Sequence, residues 1–224
     1  MRRKKNRQQA SRARVRAKRP AVRAGEALTL EQFGRLLQHR LIRTEPYRTM
    51  VLLAACTGLT PSELSVLKWR DVDRKKGKLY LCSPTPWALS TAFPLSAGLA
   101  DVLFKWKRRS RSKRPDDLVF TSHHGDSKLP FDSTSVEKDR LEQAGIDIGY
   151  GKVSGKPIEH LGWHSLRRSY ANWLTAAGAS STVLMRLLRL TTPPRPIDDM
   201  ASEPPIREAN SKVVDLVISI HQTR

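Results

Sequence analysis

Two side chains that can bind and protonate a phosphate stand three positions apart in the sequence, at His164 and Arg167. The apolar residues around them recur at helical spacing, so both side chains are expected on one face at the start of a helix. A guanidinium holds phosphate oxygens with forked hydrogen bonds, and an imidazole can transfer protons. The N-terminus of a helix also favours an anion. Taken alone, the pair is better explained as a surface arginine beside a core histidine, so the prediction of a phosphate contact depends on the longer motif that contains it.

The overall charge indicates a polyanionic partner. The 224 residues include 41 Lys and Arg against 21 Asp and Glu, a formal charge of +20. Basic side chains gain affinity by releasing counterions from phosphate, so nucleic acid is the first candidate and an anionic membrane surface the second. With no membrane-length apolar run and no signal peptide, a cytoplasmic, nucleoid-associated protein is expected. Cys56 and Cys82 lack zinc-site spacing, so we expect no metal. We also expect no cofactor and no small-molecule substrate.

Much of the positive charge lies in two clusters. Residues 1–24 hold eleven Lys and Arg and no acid, which predicts a disordered basic arm, and the rest of the chain is still +9. A second cluster, 105–114, ends a predicted helix at 96–106. Each cluster also has an interpretation without a ligand: residues 1–24 could be a solvated tail, and 105–114 could be an exposed helix end. The candidate DNA-backbone contacts are Arg12, Arg14, Arg16, Arg108, Arg109, Arg111 and Arg168.

The elements that would position His164 and Arg167 are mostly helices. Apolar spacing and capping residues predict a helix opening at Thr29, and further helices over 50–56, 61–69, 96–106, 133–144, 164–177 and 182–190. Short strands are expected at 78–82, 91–95 and 118–120. Beyond Leu190, five prolines fall within thirteen residues, which predicts a Pro-rich irregular tail with one short element at 212–220.

Three segments together resemble the catalytic domain of the tyrosine recombinase, or phage integrase, family. They are the opening segment at 28–33, the block at 55–73 that contains Thr57-Gly58-Leu59, and the His-x-Leu-Arg box at 164–171. The resemblance covers 28–190 and implies an α+β, mostly α fold with a small antiparallel sheet. The expected domain is 25–192, between the arm at 1–24 and the tail at 193–224.

The resemblance also implies a chemistry and partners. In this family a tyrosine attacks a phosphate of double-stranded DNA without a metal, while arginines stabilise the charge that develops on the phosphate oxygens. Site-specific recombination and DNA integration follow from that strand breakage and rejoining. Double-stranded DNA and other recombinase subunits are the implied partners, and His164 and Arg167 match catalytic positions.

Four of the six catalytic groups of the family pattern are missing. Thr60 replaces the first arginine, the hairpin before 93–95 has no lysine, and Leu190 replaces a histidine. Met200 lies near the expected place of the nucleophile, and no tyrosine follows Tyr170, which we predict to be a packing residue. The sequence therefore predicts a degenerate, truncated copy that binds DNA and cannot cleave it.

Two alternative functions stay open. The chain could be a recombinase subunit that is active only in trans, when a partner in an oligomer supplies the tyrosine. It could instead be a basic RNA- or ribosome-associated protein whose resemblance is accidental.

The abrupt change after Leu190 suggests a further hypothesis, that a frameshift or recombination produced the C-terminus. A downstream reading frame that encodes His and Tyr at family spacing would support that origin.

Overall fold

A computed structural model describes residues 27–81, 90–121, 136–153, 156–157, 160–190 and 197–222. The predicted arm at 1–24, with Arg12, Arg14 and Arg16, lies outside the described residues, as does Cys82. Within these ranges the helices are α1 (Leu30–Gln38), α2 (Tyr47–Thr57), α3 (Pro61–Val66), α4 (Ala97–Arg109), α5 (Val136–Asp147), α6 (Trp163–Ala176), α7 (Ser181–Leu187) and α8 (Pro204–Gln222). The strands are β1 (Val72–Asp73), β2 (Lys78–Leu81), β3 (Ser90–Pro94), β4 (Lys152–Val153), β5 (Lys156–Pro157) and β6 (Ile197–Asp198).

Helix α1 begins where the capping residues predicted. The Thr29 side chain accepts a hydrogen bond from the Gln32 backbone N–H at 3.1 Å, and the Gln32 side chain accepts one from the Thr29 N–H at 3.0 Å. This reciprocal pair satisfies two N–H groups that a helix terminus otherwise leaves without partners. The apolar face of α1 is buried through Phe33, Leu36 and Leu37.

Helix α2 is buried along most of its length and ends at Gly58. Its apolar residues are between 0% and 1% exposed from Met50 to Cys56. Gly58 has a φ of 62°, in the left-handed region that glycine adopts without steric cost, and its N–H donates to Ala54 O. The chain can therefore turn sharply from α2 into α3 at this point.

The main sheet is small and mostly antiparallel, as predicted. The strand order is β1-β2-β3-β6, with antiparallel β1–β2 and β2–β3 pairs and a short parallel pair between β3 and β6. The predicted strand at 118–120 is wrong, since Leu118 makes only an isolated bridge to Lys68. The Val119 N–H donates to Leu67 O at 2.8 Å, so this segment is held to a loop rather than to the sheet.

The C-terminal region differs from the predicted irregular tail. Helix α8 has 19 residues, whereas the sequence suggested one short element at 212–220. Pro204 and Pro205 occupy its first turn, where a helix does not need the missing backbone N–H. Val213 and Val214 are at most 1% exposed, so α8 is part of the same hydrophobic core and the boundary expected at residue 192 does not separate it.

None of the helices in the described ranges is both long and apolar enough to span a membrane.

Candidate phosphate-binding site

Helix α6 carries the predicted pair. His164 is exposed in its first turn, and Arg167 is half-buried one turn later. Gly162 precedes the helix as its N-cap, and Ser165 is buried beside it. The structure therefore gives His164 access to solvent at the helix N-terminus, while Arg167 extends toward neighbouring elements.

The Arg167 side chain connects α6 to two other segments. Its Nη1 donates to Gly58 O at 2.5 Å, and its Nη2 donates to Leu188 O. Gly58 ends α2, and Leu188 follows α7. Burial lowers the pKa of Arg167 to about 10, and the nearby charge of Arg189 acts in the same direction. Arg167 therefore stays cationic at neutral pH and lies where α6, the end of α2 and the turn after α7 meet.

Arg189 is a charged residue of the site that sequence reasoning missed. It has a φ of 53°, and its side chain is 13% exposed. Its Nε donates to Glu63 Oε1 at 2.8 Å, and its Nη2 donates to Glu63 Oε2 at 3.1 Å and to Gly58 O at 2.9 Å. One carbonyl oxygen, that of Gly58, thus accepts hydrogen bonds from both Arg167 and Arg189.

Thr60 is built into the start of α3. Its hydroxyl accepts from the Glu63 N–H at 3.3 Å and donates to Glu63 Oε2 at 2.9 Å, and its own N–H donates to the same carboxylate at 2.8 Å. Burial raises the pKa of the Glu63 carboxyl, but the charge of Arg189 and hydrogen bonds from Thr60 and Arg189 outweigh it and lower the pKa overall. Arg189 therefore neutralises a carboxylate that the fold has buried, and no local sequence signal marks this pair because the two residues are 126 positions apart.

The residues at the other missing positions cannot replace the lost groups. Leu190 is 65% exposed and apolar, and Met200 is fully buried in a short 3-10 helix, Met200–Ser202. Tyr170 is fully buried, which confirms the predicted packing role. Its hydroxyl donates to Asn210 Oδ1 at 2.7 Å, and burial raises its pKa well above the ordinary value.

The second basic cluster lies at the C-terminal end of α4. Arg108, Arg109 and Arg111 are all exposed. Lys107 instead lies over the Trp69 ring, with its Nζ 5.0 Å from the ring centroid. Arg168, the remaining candidate contact, is half-buried and donates to Ser165 Oγ at 3.4 Å. The structure thus exposes Arg108, Arg109 and Arg111 at and just after the end of α4, and it keeps Lys107 and Arg168 against the protein.

A metal site does not form within the part of the chain that the structure describes, since no three His, Cys, Asp or Glu side chains come together there.

Solved structures with the same fold include integrases and a site-specific recombinase. The integrase from mycobacterium phage Brujita matches with a TM-score of 0.59 at 18% identity, over 89% of this chain and 65% of that one. The XerH site-specific recombinase bound to difH substrate matches with a TM-score of 0.57 at 19% identity, over 73% and 47%. The lambda integrase catalytic core matches with a TM-score of 0.56 at 22% identity, over 77% and 97%.

The fold is that of a tyrosine recombinase catalytic domain, and this chain spans about two thirds of the Brujita integrase. A sequence model of the phage integrase family matches residues 26–189, which is most of the chain. The protein belongs to the phage integrase family. Comparison with curated protein sequences finds no match.

Proposed function

We infer that this chain holds duplex DNA by its phosphate backbone and does not break a strand. The inference rests on the position of Tyr170, the last tyrosine of the sequence. Its side chain is fully buried and hydrogen-bonded to Asn210. A nucleophile has to reach a DNA phosphate on the surface, and a buried phenol with a raised pKa cannot form the attacking phenolate. The exposed His164 and the cationic Arg167 still offer groups that suit a phosphate.

The charge distribution supports DNA as the partner. Arg108, Arg109 and Arg111 are exposed on one helix end, and the 1–24 segment adds eleven basic residues. The XerH recombinase of the same fold was solved with its DNA substrate. Such contacts go to phosphates, so we expect strong salt dependence and little sequence discrimination. This partner would make the protein nucleoid-associated.

Binding is tested with a labelled duplex of arbitrary sequence. The affinity is expected to fall by at least about tenfold between about 50 and 200 mM salt, because each neutralised phosphate releases counterions. An equal-length structured RNA serves as the comparison. An affinity that does not change with salt, or a clear preference for the RNA, would contradict the inference, and the latter would support the RNA-associated alternative.

Strand breakage is tested with a suicide duplex that carries a nick beside the candidate phosphate. Covalent capture would appear as a shifted protein band on a denaturing gel, and none is expected from this chain alone. The lambda integrase catalytic core, assayed on a duplex that carries its own site, is the positive control. The assay is then repeated with a complete recombinase of the same family added. If this chain enters an oligomer that cleaves the duplex, the alternative of a subunit active only in trans is the better description.

A further inference from the structure

Arg189 is fully occupied by the protein itself. Besides its bonds to Glu63 and Gly58, its Nη1 donates to Thr57 O at 3.2 Å and to Leu187 O at 2.9 Å. With two bonds to Glu63 and one to Gly58, these make five hydrogen bonds. A guanidinium has five N–H donors, so Arg189 has none left for an added ligand. Its contribution to the site must therefore act through its neighbours.

Arg167 is bound less completely. Its bonds to the carbonyl oxygens of Gly58 and Leu188 leave three of its N–H donors without a partner among the described residues. It shares the Gly58 carbonyl with Arg189, so the two guanidinium groups lie side by side. Arg167 is thus the cation of this pair that can take an oxyanion.

Glu63 carries a negative charge that one of the two arginines has to neutralise. Its side chain is only 16% exposed, and Thr60 can give it hydrogen bonds but no positive charge. A carboxylate this buried would be costly without a cation, and Arg167 is a second cation close enough for its charge to interact with Glu63. If Arg189 were removed, we would expect Glu63 to draw the Arg167 guanidinium away from solvent.

We propose that Arg189 is a positioning residue that supplies the positive charge missing at position 60: it neutralises Glu63 and thereby leaves Arg167 facing an added phosphate. The proposal rests on the DNA-binding function inferred above. It assigns the role to a residue on the turn after α7, in contact with α3 through Glu63 and with the end of α2 through Gly58. Arg189 itself does not touch the phosphate.

The principal variant is Arg189→Gly. A φ of 53° is readily adopted by glycine, so this change removes the guanidinium without adding backbone strain. Duplex affinity is expected to fall about tenfold, comparable to the loss of one hydrogen bond to a charged group. In an Arg167→Ala background the same change should alter affinity less than about twofold, because the cation that it positions is already gone.

A second substitution separates charge from packing. Adding Glu63→Gln to Arg189→Gly removes the carboxylate that would compete with phosphate for Arg167. Most of the lost DNA affinity should therefore return, although the double variant does not restore the Arg189–Glu63 ion pair. A merely structural Arg189 would give the double variant no such recovery. Equal losses from Arg189→Gly with and without Arg167 would overturn the proposal, as would an unchanged affinity.

A measurement without DNA distinguishes failure of this proposal from failure of the proposed function. Hydrogen exchange at the Arg167 Nε–H, followed by NMR in the full chain, should change between the wild-type protein and Arg189→Gly. An unchanged rate overturns the positioning role whatever the DNA result. If the wild-type chain does not bind duplex DNA while the exchange rate still changes, the DNA-binding function fails and the Arg189–Arg167 coupling stands.

Discussion

The hydroxyl of Tyr170 on α6 donates a hydrogen bond of 2.7 Å to Asn210 on α8, and both residues are buried. The Asn210 amide in turn donates to Pro94 O at 3.0 Å, at the end of β3. One asparagine therefore ties the C-terminal helix to both the helix that carries Arg167 and the main sheet. The last tyrosine of the sequence serves this connection and is inaccessible to DNA.

Replacing Tyr170 by Phe is expected to lower the free energy of unfolding by about 1 to 3 kcal/mol, because the buried Asn210 Oδ1 loses its donor. Urea denaturation followed by circular dichroism measures the change. Tyr80→Phe is the matched control, since Tyr80 is only partly buried on β2 and should change stability by less than about 0.5 kcal/mol. Similar losses in the two variants would argue against a structural role specific to Tyr170.

Gly58→Ala should destabilise the protein through strain and through a steric clash. A Cβ at this position would lie 3.0 Å from Tyr170 Cδ1 and 3.5 Å from Arg167 Cγ, and the φ of 62° costs an alanine about 1 to 2 kcal/mol. Gly149→Ala shares the positive φ but would meet nothing within 4 Å. The expected result is a larger loss of unfolding free energy for Gly58→Ala. Equal losses would show that packing around Gly58 is looser than the structure indicates.

Restoring an arginine at position 60 is expected to destabilise the chain. Thr60→Arg removes the hydroxyl that caps α3, at a cost of about 1 kcal/mol, and places a second guanidinium near a carboxylate that Arg189 already neutralises. Thr60→Ser keeps the capping hydroxyl and should remain close to wild type. Thermal unfolding of the three proteins gives the comparison, and a melting temperature of Thr60→Arg at or above the wild-type value would contradict the expectation.

The pKa of Glu63 predicts a stability that falls in acid. Because its folded pKa is below the ordinary value of 4.5, Glu63 contributes stability that is complete above that value and is lost as the pH falls through the lower folded pKa. Glu63→Gln should therefore flatten the acid side of a plot of unfolding free energy against pH, while lowering stability at neutral pH by leaving Arg189 unpaired. Glu208→Gln should flatten the acid side much less, because the Lys212 side chain lowers the pKa of Glu208 through a fully exposed pair that solvent screens. An unchanged acid slope in Glu63→Gln would refute this reading.

The exposed end of α4 is expected to contribute part of the salt dependence of DNA binding. Changing Arg108, Arg109 and Arg111 to Ala should reduce the slope of log affinity against log salt by about 2 to 3, roughly one for each lost phosphate contact. A triple variant that removes equal charge from other exposed positions is the control, at Lys75, Lys76 and Arg207. If both triple variants reduce the slope equally, α4 is not a preferred contact.

Local sequence patterns predicted the elements that begin with strong capping residues. Thr29, Thr60 and Ser96 each cap a helix near the place that the sequence indicated, because the capping partner lies only three positions further along the chain. The His-x-Leu-Arg box was placed on a helix by a different local signal, the apolar periodicity of 164–177. The assignment of His164 and Arg167 to a phosphate contact stays a prediction.

Residues far apart in sequence decided the rest. The many prolines near Pro204 suggested an irregular tail, but Pro204 and Pro205 fall in the first turn of α8, and the valines beyond them are buried in the core. Periodicity at 212–220 could not show how much of the segment would fold, since burial against the rest of the chain supplies most of the stability of a helix.

The sequence by itself determined the family-like segments, the missing catalytic groups and the excess of positive charge, because these depend only on residue type and order. The tertiary structure alone decided that Arg189 neutralises Glu63, 126 positions away, and that Tyr170 is bonded to Asn210, 40 positions away. Such pairs form because burial makes an unpaired charge or hydroxyl costly, and only the packed fold determines which groups are buried together.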